Sequence, residues 1–236
     1  MKPRSAIVFL VDVDDTLLDN DRVQEDLRRY IGREFGARCR DRFWAIQEEL
    51  FNTLGYRDYL GALQRFRVEH PYEPHLVTAA GFLVDYPFAD ALYPGALDVL
   101  AKLRGWGRTV ILSDGDVVFQ PRKVERSGIF KAVNGHVLIY VHKEEALADV
   151  ERRYPADHYV VVDDKLRILA AIRKSWGNRV TTVFPRQGKF ANDSKIVAAY
   201  PGAADVTIER IGDLLSYELP DLFENTVRTR KKGDRV

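Results

Sequence analysis

Asp12, Asp14 and Thr16 stand at alternate positions directly behind an unbroken apolar run, Ile7 to Val11, in the stretch "IVFLVDVDDTLLDND" (7–21). Carboxylates held that close repel one another, so something must offset their charge. Other apolar runs end in the same way. Ser113, Asp114, Gly115 and Asp116 follow "TVIL" (109–112), His142 and Lys143 follow "HVLIYV" (136–141), and Asp163 and Asp164 follow "YVVV" (159–162). In an open parallel sheet, ligand sites form beyond the carboxyl ends of the strands, so four such ends would bring these groups together. A divalent cation among the acids makes the repulsion tolerable. An all-oxygen set favours a hard ion, Mg²⁺ first. His70, His75, His136 and His158 show no ligand spacing with one another, and His142 is either site lining or plain surface. Taken singly, each signal has a plain alternative: Asp116 or Asp164 as a helix cap or turn residue, Lys143 as a solvated helix opener. Their order and their shared strand-end placement carry the functional reading.

The elements that must position them alternate. Apolar runs at 6–11, 109–112, 136–141, 159–162 and 179–184, with a weaker one at 205–209, read as strands covered on both faces. Helical patterns lie between several of them. Residues 93–107 place Pro94 at a helix start and Leu97, Leu100 and Leu103 on one face, and 143–154 and 164–177 read alike. Strand and helix in alternation predict an α/β sheet with right-handed crossovers. From about 20 to 92 no strand is evident. Four amphipathic patterns near 21–36, 40–55, 56–70 and 73–86 predict an all-helical insertion between the first two strands, with Phe43, Trp44 and Phe51 in its core. The last residues, "RTRKKGDRV", read as a charged, frayed tail.

The 236 residues suffice for one domain with an insertion, and 46% of them are apolar. A net charge of +1 gives no field toward nucleic acid or an anionic membrane. A lone cysteine, Cys39, fits a reducing, cytoplasmic setting. The opening residues lack the apolar length of a signal peptide, and no run approaches membrane-spanning length. No nucleic-acid partner and no membrane partner is expected. Oligomeric state is not legible.

With these motifs the chain resembles the haloacid dehalogenase-like hydrolase superfamily. "DVDDT" matches its first motif in Asp12, Asp14 and Thr16; Ser113 in "VILSDGD" matches the second; Lys143 in "YVHKEEA" the third; Asp163 and Asp164 in "VVVDDK" the fourth. Two departures stand out. Glu144 follows Lys143 where many relatives have Pro, which keeps Lys123 in "QPRKVERSG" open as the third-motif lysine. Arg167 lies near where a later acid is common. The resemblance implies a Rossmann-like, doubly wound parallel sheet with an inserted helical cap: core 1–19 and 93–225, cap 20–92, basic tail 226–236.

It also implies phosphoryl transfer through an aspartyl-phosphate. Asp12 is the nucleophile and Asp14 the general acid and base. Ser113, the backbone at Asp114, and Lys143 hold the phosphate. Mg²⁺ sits on Asp12, the carbonyl of Asp14, and Asp163, with Asp164 a further ligand. The true dehalogenases of the superfamily lack the second acid, so Asp14 points to phosphate esters, and the implied partner is a small-molecule phosphate ester. Asn20, Tyr56, Arg57 and Arg65 are the candidate readers of the leaving group. A phosphomutase using the same intermediate, and a receiver-like Mg²⁺ switch without turnover, remain alternatives.

Overall fold

The computed structural model describes residues 5–72 and 75–223. The tail at 226–236 lies outside them, as do Glu73 and Pro74 at the head of the fourth expected helix. Six strands, β1 (Ser5–Val11), β2 (Arg108–Asp114), β3 (Val137–Tyr140), β4 (Ala156–Val162), β5 (Val180–Pro185) and β6 (Val206–Ile208), form one sheet. It is parallel throughout, in the order β3-β2-β1-β4-β5-β6. Each strand falls on one of the six apolar runs.

The runs are unbroken because both faces of the sheet are covered. Along β1, Phe9 and Val11 enter one apolar cluster with Ile111, Val160 and Val162, while Val8 and Leu10 enter the other with Val110, Leu112 and Val161. Register aligns Phe9 with Thr109 of β2 and Val160 of β4. The chain winds outward from β1 to β3, then returns to β4 beside β1 and winds the other way. The crevice at such a reversal, beyond β1 and β4, is where a doubly wound sheet binds ligands.

Between β1 and β2 the chain is helical: α1 (Asn20–Phe35), α2 (Ala37–Leu54), α3 (Tyr59–Glu69), α4 (Leu76–Asp85) and a 3₁₀ turn, Phe88–Ala91. Asp19 caps α1 by accepting the Arg22 N–H, and Asp58 caps α3 by accepting the Gly61 N–H. The cap at Asp58 delays α3 by three residues relative to the amphipathic pattern that opens at residue 56. Val23, Leu27, Ile31, Phe43, Ile46 and Phe66 pack with the Phe9 face of the sheet in one cluster. The entry and exit of this stretch run side by side: Asp19 N–H donates to Ala91 O at 2.8 Å and Tyr93 N–H to Leu17 O at 2.9 Å.

The remaining helices are α5 (Ala96–Trp106), α6 (Phe119–Arg126), α7 (Ile129–Ala132), α8 (Leu147–Arg153), α9 (Leu166–Trp176), α10 (Gly188–Ala191) and α11 (Ser194–Ala199). Three differences from the sequence reading concern how helices begin. Pro94 precedes α5 rather than opening it, because Gly95 takes a left-handed conformation (φ 79°) first. The expected helix over 143–154 breaks into a 3₁₀ turn, Lys143–Glu145, and then α8. The pairs α6–α7 and α10–α11 are short and lack a sustained apolar period, and sequence analysis did not resolve them. Among the described residues no helix is long and apolar enough to cross a membrane.

Gly107 ends α5 where the chain passes against β1, and a Cβ there would lie 2.7 Å from the Ile7 carbonyl oxygen. Because the obstacle is backbone, Gly107→Ala is expected to destabilise the protein by roughly 1–3 kcal/mol. Chemical denaturation reads this; an unchanged midpoint would refute the tight approach.

Candidate active site

β1 delivers Asp12 into the crevice. Its N–H still bonds Val162 O, at 2.9 Å, so Asp12 stays in register with the end of β4 and lies beside Asp163. The chain then turns. Asp15 takes φ 58°, and the N–H groups of Leu17 and Leu18 close onto Val13 O. Thr16 Oγ1 accepts the Asp164 N–H at 3.1 Å, tying this turn to the loop after β4. Thr16 therefore supports the loop. A clamp missed in the sequence does the same from β5: buried Gln187 donates to Thr16 O at 3.0 Å and accepts the Ile211 N–H.

Lys143 is fully buried, with Nζ 2.6 Å from both Asp12 Oδ1 and Asp163 Oδ2. Its backbone N–H donates to Asp114 Oδ1 at 2.7 Å, so the Asp114 side chain positions the lysine. Burial disfavours the ammonium ion, yet Asp12, Asp163 and Asp114 together hold the Lys143 pKa well above its ordinary value. Burial also works against the Asp12 carboxylate, but Lys143 and Lys165 overcome it and pull the Asp12 pKa down. Lys123, the other lysine considered for the third motif, is buried on α6 and donates to Asp14 Oδ1 at 2.6 Å and to Asn20 Oδ1 at 3.0 Å. Both lysines enter the site; Lys143 is the one on Asp12.

One carboxylate oxygen from each of Asp12, Asp163 and Asp164 lies within 4.8 Å of the others, all three residues buried. The oxygens of Asp163 are both engaged, by Lys143 and by the Lys165 N–H at 2.8 Å. Asp12 Oδ2 and both oxygens of Asp164 are buried with no hydrogen-bond partner. Burial raises the Asp164 pKa well above the ordinary carboxylate value. An unpaired anion in that setting is costly, and a hard cation would satisfy it. The Asp14 carboxylate stands outside this cluster, on Lys123, and only its backbone carbonyl was assigned to the metal.

Ser113 ends β2 with its hydroxyl oxygen accepting from Gln120 Nε2 at 2.9 Å. Gly115 leaves room for Gln120, since a Cβ there would fall 2.6 Å from Gln120 Cβ. Asp116 accepts the Val118 and Phe119 N–H groups in the turn ahead of α6, the plain turn role allowed for it.

A cavity of about 340 Å³ is lined by Asp14, Asp114, Gln120, Lys123 and Lys165 and by the α2–α3 loop; Asp12, Ser113, Lys143, Asp163 and Asp164 are not among its lining residues. Asn20, Tyr56 and Arg57 line it as expected, though Arg57 is paired with Glu48 at 3.0 Å. Arg65 does not line it: its guanidinium pairs with Glu49 at 2.8 Å on an exposed face of the helices. Phe51, expected in the helical core, lines the cavity instead. Lys165 and Tyr59 also line it and were missed. Lys165, directly behind the acid pair, was detectable in "VVVDDK"; Tyr59 carried no signal beyond its helical position.

The model of the hydrolase family described as haloacid dehalogenase-like hydrolase matches residues 8–175. The chain belongs to that family. A haloacid dehalogenase-like hydrolase of Burkholderia xenovorans LB400 is 59% identical, with a TM-score of 0.86 over 92% of this chain and 100% of its own. A HAD-hydrolase of Bacillus subtilis solved with magnesium (17% identity, TM-score 0.58, 91% and 98% covered) and the L-2-haloacid dehalogenase of Xanthobacter autotrophicus (20%, 0.58, 92% and 98%) share the fold. A search of curated proteins gives no match. This haloacid dehalogenase-like hydrolase is thus an enzyme.

Asp15, adjoining the site, accepts the N–H groups of Asn20 and Asp21 at 2.9 and 3.2 Å and abuts Gly188. Burial, with Asp21 and Asp14 nearby, pushes its pKa up to about 7. Between the ordinary carboxylate value and 7, the unfolded chain has lost this proton while the folded chain keeps it. Asp15 therefore removes stability as pH rises through that window. Asp15→Asn keeps the acceptor oxygen and loses the proton, so in chelator-treated protein its stability relative to wild type is expected to rise by up to about 4 kcal/mol from pH 4 to pH 8. A pH-independent difference in denaturation midpoints would contradict this.

Proposed function

We propose that the enzyme is a Mg²⁺-dependent phosphomonoesterase of a small phosphorylated metabolite. The observation that carries the reading is the set of buried, unpartnered oxygens on Asp12 and Asp164 beside a half-buried Asp14 that faces the cavity. Asp12, Asp164 and the Asp14 carbonyl would hold the ion, with Asp163 engaged chiefly by Lys143. When bound, Mg²⁺ supplies charge neutralisation for a phosphate beside carboxylates.

The chain's own residues divide the remaining work. Asp12 attacks phosphorus, forming an Asp12–phosphate bond while the ester P–O bond breaks. Lys143 keeps Asp12 ionised and aimed. The Ser113 hydroxyl and the backbone at Asp114 bind phosphoryl oxygens, joined by Lys165, whose ammonium has no hydrogen-bond or ion-pair partner among the described residues. Asp14 gives its proton to the leaving alkoxide. It then takes one from the water that cleaves the acyl phosphate, so water and ester become alcohol and inorganic phosphate. A halide leaves without a proton, so the placement of Asp14 favours ester hydrolysis over dehalogenation. In this reading residues 20–92 form a cap over a core of 1–19 and 93–225, excluding water during the first step.

Phosphate release from p-nitrophenyl phosphate is expected with Mg²⁺ and to be abolished by EDTA. Asp12→Asn is expected to lose at least about a thousandfold in kcat; retained activity in that variant would remove Asp12 as nucleophile. Asp164→Asn is expected to weaken Mg²⁺ binding, read by calorimetry, more than Asp163→Asn. Lys165→Met is expected to weaken inorganic phosphate binding roughly tenfold or more without weakening Mg²⁺ binding, and the reverse pattern would make Lys165 a structural counter-ion only.

A further inference from the structure

The lining of the cavity has two properties that together define a leaving group. First, it is aromatic. Phe51 and Tyr59 from the inserted helices, Phe119 from α6 and Phe190 from α10 line it, with Tyr56 and Tyr200 at the margins. Tyr59 and Phe119 lie ring against ring at 5.1 Å, and the Arg57 guanidinium caps the Phe51 ring at 4.8 Å, so these rings are braced.

Second, several polar side chains of the lining already have protein partners. Arg57 pairs with Glu48, Arg167 with Glu144, and Lys189 with Asp21. Gln24 accepts from Lys189, Asn20 accepts from Lys123, and Gln120 donates to Ser113. Lys165, at the same cavity, faces Asp164, Asp12 and Asp163. The Tyr59 hydroxyl is itself buried, so what this residue offers the cavity is its ring.

A sugar or other polyol would bring several hydroxyls that need partners of fixed direction, and each one left unpaired on burial costs affinity. A flat ring needs only apolar faces, and edge-to-face or offset contacts with aromatic side chains add to its burial. A cavity of about 340 Å³ has room for a phosphoryl group and one ring system. We propose, on the basis of the phosphomonoesterase reading above, that the substrate is the phosphate ester of an alcohol carrying an aromatic or heteroaromatic ring. The braced rings of Phe51, Tyr59 and Phe119 select it against polyol phosphates.

The test has a turnover arm and a binding arm. Turnover by the full chain with Mg²⁺ is compared for benzyl phosphate and glucose 6-phosphate, both esters of primary alcohols, with acetyl phosphate as a ring-free reading of the acidic centre. Benzyl phosphate is expected to exceed glucose 6-phosphate in kcat/KM by at least about tenfold. Phe51→Ala is expected to lower the ratio of benzyl to acetyl phosphate turnover roughly tenfold, whereas a loss of structure lowers both alike. In the binding arm, calorimetry compares benzylphosphonate with methylphosphonate, neither of which can be hydrolysed, and the ring is expected to tighten binding at least about tenfold. Failure to hydrolyse acetyl phosphate and both esters would sink the phosphomonoesterase reading, while the phosphonates still judge the wall. Equal phosphonate affinities, or preference for glucose 6-phosphate, would overturn the ring proposal alone.

Discussion

The contact on which the site depends is the buried ammonium of Lys143 between Asp12 and Asp163. Three strand ends, those of β1, β3 and β4, are joined there by two charged hydrogen bonds of 2.6 Å. Without that cation, neighbouring carboxylates would share a dry crevice, and a buried charge stripped of its partner costs roughly 3–5 kcal/mol. The lysine is placed by its own backbone as much as by its side chain, since Asp114 holds the Lys143 N–H and so fixes where β3 releases the chain. One residue thus serves fold and chemistry together: it makes the acid cluster tolerable and leaves Asp12 charged.

A second cation, Lys123, divides the labour between the two acids of the first motif. Lys143 takes Asp12 and Lys123 takes Asp14, so alternate side chains on one turn face opposite partners. Lys123 also reaches Asn20, the first residue of α1, and so connects α6 in the α/β part of the chain with the start of the inserted helices. Near the same point Lys189, from α10, pairs with Asp21. The helices that wall the cavity are therefore anchored at their root by the residues that surround the chemistry.

The sequence made some of this plain and hid the rest for physical reasons. Strands buried on both faces leave unbroken apolar runs, so even the short β6 was visible, and acids placed behind such runs marked the crevice. The acidic cluster was legible because every member is local to a strand end. Which oxygen lacks a partner was not, because that depends on Lys143 and on the Lys165 N–H arriving from elsewhere: Asp163 stood first in the sequence reading, and the unpaired atoms belong to Asp164. Arg65 and Phe51 show the same limit on α3 and α2. Helical periodicity identifies a buried stripe but not which neighbour the stripe meets, so an arginine expected at the cavity pairs with Glu49 outside it, and a phenylalanine expected in the helical core faces the ligand space. Gln187 carried no local pattern, since its role is to join two loops far apart in the chain.

The strand order has a consequence for how the chain is made. β1 borders β2 on one edge and β4 on the other, and its pairing with β4 joins residues 5–11 to residues 156–162. Closing so long a loop precedes any gain from the pairing, which places folding on the slow side of the range for domains of this size. During translation the most apolar strand waits, with one edge bare, until the segment carrying Asp163 has left the ribosome. Asp12 and its acidic neighbours therefore come together late, as the last central strand docks.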